Sequence, residues 1–106
     1  MKLNKTEKAH RKFLMEYFYD EHPNGVIGEY DLSGRVTILA YPTGGGKGYF
    51  TYAIRSMEDM EVSRKYGEFV ALCRWKKGTV LPFEFNAFEP VGFTFALSAI
   101  ADNLTN

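Results

Sequence analysis

The chain has 106 residues, which suffices for one domain, residues 1–106, and falls short of two. Apolar residues make up 45% and charged residues 25%, a globular composition that excludes a disordered or low-complexity scaffold. Thirteen Lys and Arg balance thirteen Asp and Glu, and that balance argues against a generic nucleic-acid coating protein, which carries a basic excess.

Met1–Lys12 carries no apolar signal segment, and no run approaches the ~18 apolar residues of a membrane span. A cytoplasmic protein without membrane contact is the expectation. Asn4, with Glu7 three residues on, makes a capping-box start for a helix that runs to Asp20 or Glu21. Pro23-Asn24-Gly25 ends it. His10, Phe13, Leu14, Tyr17 and Phe18 recur at helical spacing and form the expected core face. Lys8, Lys12, Met15 and Tyr19 make a row on the far side that runs from cationic to aromatic. Basic residues at a helix start oppose the macrodipole by a few tenths of a kcal/mol, so helix stability does not explain them. The row is a candidate contact for a protein partner.

Val26–Asp31 and Arg35–Tyr41 read as two strands joined by Leu32-Ser33-Gly34, with a left-handed glycine closing the turn. That register sets Val26, Gly28 and Tyr30 opposite Ala40, Ile38 and Val36. The sheet period of two makes a one-residue slip costly, since it would place Glu29 and Asp31 on the apolar face. Tyr49–Arg55 pairs back on Arg35–Tyr41, with Tyr41 opposite Tyr49 and Thr37 opposite Ala53. The seven residues Pro42–Gly48 then form a mobile glycine tip. Gly45 and Lys47 at this tip join the candidate partner-binding residues.

The tip sequence Pro42-Thr43-Gly44-Gly45-Gly46-Lys47-Gly48 resembles the phosphate-binding loop of helicase-type ATPases. That loop requires a hydroxyl directly after the lysine to hold Mg²⁺, and a glycine five positions before its last one. Here Gly48 follows the lysine and Tyr41 stands at the early glycine position. Tyr49–Arg55 reads as a strand where the loop needs a helix. The resemblance covers seven residues, and ATP hydrolysis is not expected.

Ser56-Met57-Glu58-Asp59 caps a short helix expected to end at Gly67. Phe69, Ala71, Cys73 and Trp75 alternate and read as a strand of a further hairpin, turned at Lys76-Lys77-Gly78 onto Thr79–Phe85. Cys73, the single cysteine, then lies in a core row as an inert thiol. Beyond Pro90 two periods coexist: Val91, Phe93, Phe95 and Leu97 alternate, while Phe93, Leu97, Ile100 and Leu104 repeat at helical spacing. The fold class expected is α+β, with a mainly antiparallel sheet of five strands (six if the last run is extended) and the N-terminal helix packed on one face.

Chemistry-bearing constellations are sparse. Glu29 and Asp31 lie two apart with no third metal ligand nearby, and Asp31 is expected to pair with Arg35. Asp20-Glu21-His22 is an acidic helix end, and the two histidines face no nucleophile motif. Neither a catalytic site, a metal nor a cofactor is expected. A protein-binding module without chemistry of its own fits best, as an inhibitor or modulator of a host protein complex carried by a phage or plasmid. The alternative is a single-strand nucleic-acid binder using Arg35, Tyr41, Lys47, Tyr49 and Arg55 on one sheet face, with rings to stack on bases and cations to follow phosphates.

Overall fold

Six consecutive residues, Val36–Tyr41, are buried on both sides, and this run organises the molecule. Successive side chains of a strand point to opposite faces, so each face of the sheet here needs its own apolar cover. The computed structural model describes residues 2–55 and 64–105. Its elements are α1 (Lys5–Glu21), β1 (Val26–Glu29), β2 (Val36–Gly44), β3 (Lys47–Ile54), α2 (Arg64–Lys76), β4 (Leu81–Glu84) and α3 (Gly92–Thr105). The four strands form one antiparallel sheet in the order β1-β2-β3-β4. The class is α+β, and the described residues hold four strands rather than five or six.

One face of the sheet carries Leu39 and Tyr41, which cluster with Leu14 and Phe18 of α1 and with Ala71, Leu72 and Trp75 of α2. The other carries Val36, Ile38, Ala40 and Phe50, which cluster with Leu97 and Ala101 of α3. Helices therefore lie on both faces. The N-terminal helix does not cover a face alone. It packs on α2, and α2 packs on β2 and β3.

The expected strand register holds where turn chemistry is local. Val26 pairs with Ala40 and Gly28 with Ile38, while Tyr41 pairs with Tyr49 and Thr37 with Ala53. Gly34 has φ +68°, the left-handed value the first turn requires. Asp31 completes that turn, since its carboxylate accepts from the backbone N–H groups of Arg35 and Val36, each at 3.1 Å, and from the Ser33 hydroxyl. The capping box also forms, with Asn4 Oδ1 accepting from Glu7 N–H at 2.8 Å and Glu7 Oε1 from Asn4 N–H at 3.0 Å.

The alternating run Phe69–Trp75 is helical, which overturns the expected hairpin. Ala71, Leu72 and Trp75 are buried at spacings of one and three, a helix face, and Leu72 interrupts the alternation with an apolar side chain on the wrong side for a strand. Gly78 has φ +79° as expected, but it terminates α2 rather than turning a hairpin. Its N–H donates to Trp75 O at 2.9 Å and Thr79 N–H donates to Arg74 O at 2.9 Å, the pair of hydrogen bonds that closes a helix on a left-handed glycine. β4 pairs instead with β3, Phe50 opposite Leu81 and Gly48 opposite Phe83. The helix start expected at Ser56–Asp59 lies outside the described residues, and the helix runs through Gly67 to Lys76. After Pro90 the helical period prevails in α3.

A candidate recognition surface at the start of α3

The residues singled out from the sequence occupy three separate places. On α1, Lys8, Lys12 and Tyr19 are exposed, but Met15 is half-buried against the α1/α2 cluster with Arg11 Nη1 3.7 Å from its sulfur. The expected row is thus broken at Met15. The helix is rotated from the expected orientation: Leu14 and Phe18 are buried, whereas His10 is exposed and Phe13 is 61% exposed. Arg11 reaches Glu68 of α2 at 3.2 Å and takes up part of the inner face with its stem.

The proposed nucleic-acid face is not an open sheet surface. Tyr41 is buried and its ring stacks on His22 with centroids 3.7 Å apart. Burial, then the neighbouring Tyr49 and Glu21, raises the Tyr41 phenol above its ordinary value. Arg35 and Arg55 lie at the far end of β2 and β3, roughly 20 Å from Tyr49 at ~3.3 Å per residue. There Arg35 Nε donates to Arg55 O at 3.0 Å, and Arg55 donates to Gly34 O at 2.7 Å and lies 3.6 Å from Glu29. Both cations tie the strand ends together. Tyr49 and Lys47 do remain at the surface, where they line a groove of about 440 Å³ with Thr43, Pro82 and Glu84.

The glycine tip is shorter than the seven residues expected and is bonded on one side. β2 and β3 stay paired to Gly44 and Lys47 through an irregularity after Pro42, which leaves only Gly45 and Gly46 to turn the chain. Phe85 N–H donates to Gly46 O at 2.8 Å, and a Cβ on Gly46 would stand 2.8 Å from Phe85 O. This close approach is what the glycine serves. A Cβ on Gly45 would meet nothing within 4 Å, and Gly45, like Lys47, is exposed.

The same contact anchors the segment that leads to α3. Asn86 Oδ1 accepts from Phe88 N–H at 3.0 Å, Asn86 O from Glu89 N–H at 3.3 Å, and Glu89 O from Gly92 N–H at 3.1 Å. Gly92 is buried so tightly that a Cβ would lie 2.0 Å from Asn86 O. Phe93 then locks the first turn of α3, with its ring 5.0 Å from Phe85 and stacked 5.8 Å from Phe83. With Phe93, Leu97, Ile100 and Leu104 turned to the sheet, Val91 and Phe95 have to face away. Phe88 is 97% exposed, Phe95 67% and Val91 51%. A hydrogen-bonded, ring-packed base thus holds three large apolar side chains in solvent. The sequence contained the signal: the helical reading of the last segment leaves Val91 and Phe95 on the opposite side.

Chemistry is thin elsewhere. Burial raises the Cys73 thiol, with Lys77 opposing weakly, so the sulfur is held protonated and poorly nucleophilic. No group of three His, Cys, Asp or Glu able to hold a metal occurs among the described residues, and no helix among them is long and apolar enough to cross a membrane. No protein-family model matches the chain, and no curated protein or solved structure matches it.

Proposed function

We propose that this chain is a protein-binding module, an inhibitor or modulator of a host protein rather than an enzyme, and that it meets its partner through Phe88, Val91 and Phe95. The observation that carries the reading is their exposure on a segment tied down by hydrogen bonds and ring contacts. Isolated apolar residues on a surface need no explanation, but a group of them rimmed by polar residues marks interaction sites. Aromatic anchors dominate binding energy, and a pre-ordered backbone lowers the entropy lost on association. Gly45 and Lys47 are exposed on the tip that bonds the segment before α3 and are available for supplementary contacts. Lys8 and Lys12, although exposed, lie on α1 across the sheet. The single-strand reading has less support, because Tyr41 is covered and Arg35 and Arg55 are spent within the fold.

Photo-crosslinking tests the proposal. A benzophenone side chain replaces Phe88 or Phe95 in the chain expressed in its natural host, with Leu32 as a control that is fully exposed but alone on its loop. Discrete adducts of one mass at positions 88 and 95, absent at position 32, are expected. Equal labelling at all three positions, or none, would refute it.

A further inference from the structure

We infer that Asn24-Gly25 is a self-modification site, where the asparagine converts to aspartate or isoaspartate, and that the packing of Gly25 holds it closed while the chain is folded. Of the five asparagines only Asn24 is followed by glycine. The side-chain carbonyl of an asparagine is open to attack by the backbone nitrogen of the next residue, and a glycine there puts no Cβ in the way. The Gly25 nitrogen bonds to Asn24 Cγ while the Cγ–Nδ2 bond breaks. Ammonia leaves with the proton that the Gly25 nitrogen gives up. Water then opens the cyclic imide at either carbonyl. One opening leaves aspartate at position 24, and the other leaves isoaspartate, whose main chain runs through an extra methylene. No oxidant or reductant enters.

Glycine at position 25 is set by the core. The residue is buried, and a Cβ there would stand 2.5 Å from Phe18 Cζ and 3.0 Å from His22 O. Phe18 is itself fully buried, so its ring has no room to swing aside. Packing therefore imposes the neighbour that makes an asparagine reactive, while Asn24 stays exposed. The same packing shuts the reaction. Gly25 N–H donates to His22 O at 2.8 Å, His22 N–H donates to Phe18 O at 2.8 Å, and the His22 ring stacks on Tyr41. The attacking nitrogen has to lose that hydrogen bond and its proton, and the Asn24–Gly25 peptide has to lift from Phe18, before ring closure. Modification thus proceeds through local opening of the turn between α1 and β1. The product does not fit back. Isoaspartate lengthens the chain just ahead of Val26, which pairs with Ala40. Either product also adds a carboxylate beyond the C-terminal end of α1, where the macrodipole disfavours an anion and the last turn holds no basic residue.

The test incubates the full chain in mildly alkaline buffer, folded and in guanidinium. Isoaspartyl methyltransferase labelling and peptide mapping by mass spectrometry follow the product. Label at position 24 is expected in both samples, at least about tenfold more slowly in the folded chain, because a hydrogen bond and a buried contact open first. Asn24→Ser should abolish it. Hydrogen exchange of the Gly25 N–H needs the same opening and the same loss of a proton, so folding should slow it by a similar factor. Phe18→Leu, checked for folding by far-UV circular dichroism, should modify several-fold faster than the wild type. Equal rates in the folded and unfolded chain overturn the inference, as does label at another asparagine in place of position 24. Slow modification in a folded chain whose Gly25 N–H exchanges freely, or a folded Phe18→Leu chain no faster than wild type, overturns the gate assigned to Gly25.

Discussion

Leu97→Ala and Phe95→Ala separate the helical from the extended reading of the last segment more sharply than any other pair. In a strand the two residues, two positions apart, would share one face and one burial; in α3 they lie on opposite sides. Leu97 is fully buried among Val36, Ile38, Ala40, Phe50 and Ala101, whereas Phe95 is 67% exposed. Truncating Leu97 removes three carbons, about 2.4 kcal/mol at ~0.8 kcal/mol per buried carbon, and the cavity term brings the expected cost to roughly 3 kcal/mol. At an m-value of ~2 kcal/mol/M that is a urea midpoint about 1.5 M lower. Phe95→Ala should stay within about 0.5 kcal/mol. Urea titration followed by Trp75 fluorescence and by far-UV circular dichroism measures both. Trp75 is buried on the other face of the sheet, so coincident curves also show that the two faces unfold together. Phe95→Ala costing as much as Leu97→Ala would refute the helix, and with it the exposed surface.

Gly34→Val and Gly78→Val both force a β-branched residue into a left-handed conformation, at roughly 1–2 kcal/mol or more. A Cβ at Gly34 would also stand 2.8 Å from Glu29 Oε2, while one at Gly78 meets nothing within 4 Å. The carboxylate end of Glu29 can swing aside, so the left-handed strain governs both variants and melting temperatures should fall by similar amounts; an unchanged melting temperature for either would contradict its turn. Asp31→Ala probes the same turn through pH. Burial pushes the Asp31 carboxyl up, but hydrogen bonds from Ser33, Val36 and Arg35 outweigh it and hold the group below its ordinary value. A carboxyl lowered on folding contributes stability above its unfolded value and loses it as the pH falls through the folded one. The stability gap between wild type and Asp31→Ala should thus be present at pH 7 and shrink below about pH 4. A constant or widening gap, measured by urea unfolding at pH 7 and pH 3, would show that the carboxylate bonds are not what Asp31 supplies.

The features legible in the sequence are those whose causes lie within a few residues. Asn4 and Glu7 cap α1 reciprocally, Gly34 and Gly78 take left-handed conformations, and the β1–β2 and β2–β3 registers follow from their turns. Even the layering had a trace, since Val36–Tyr41 has only Thr37 to break its apolar run, as a strand covered on both faces requires. What covers those faces is a non-local matter. The run Phe69–Trp75 satisfies an alternating pattern and a helical one together. The second prevails because Leu39 and Tyr41 need an apolar helix over them, and Leu72 and Trp75 supply it. The rotation of α1 was settled likewise by α2, which draws in Met15 and Arg11 and leaves Phe13 outside. The candidate surface is the remainder of the same process. Once Phe93, Leu97 and Ala101 met β2 and the aromatic rings beside it, helical geometry left Val91 and Phe95 no side but the outer one. Residue type told that these side chains are apolar; only the packing of the other face determined that they are exposed.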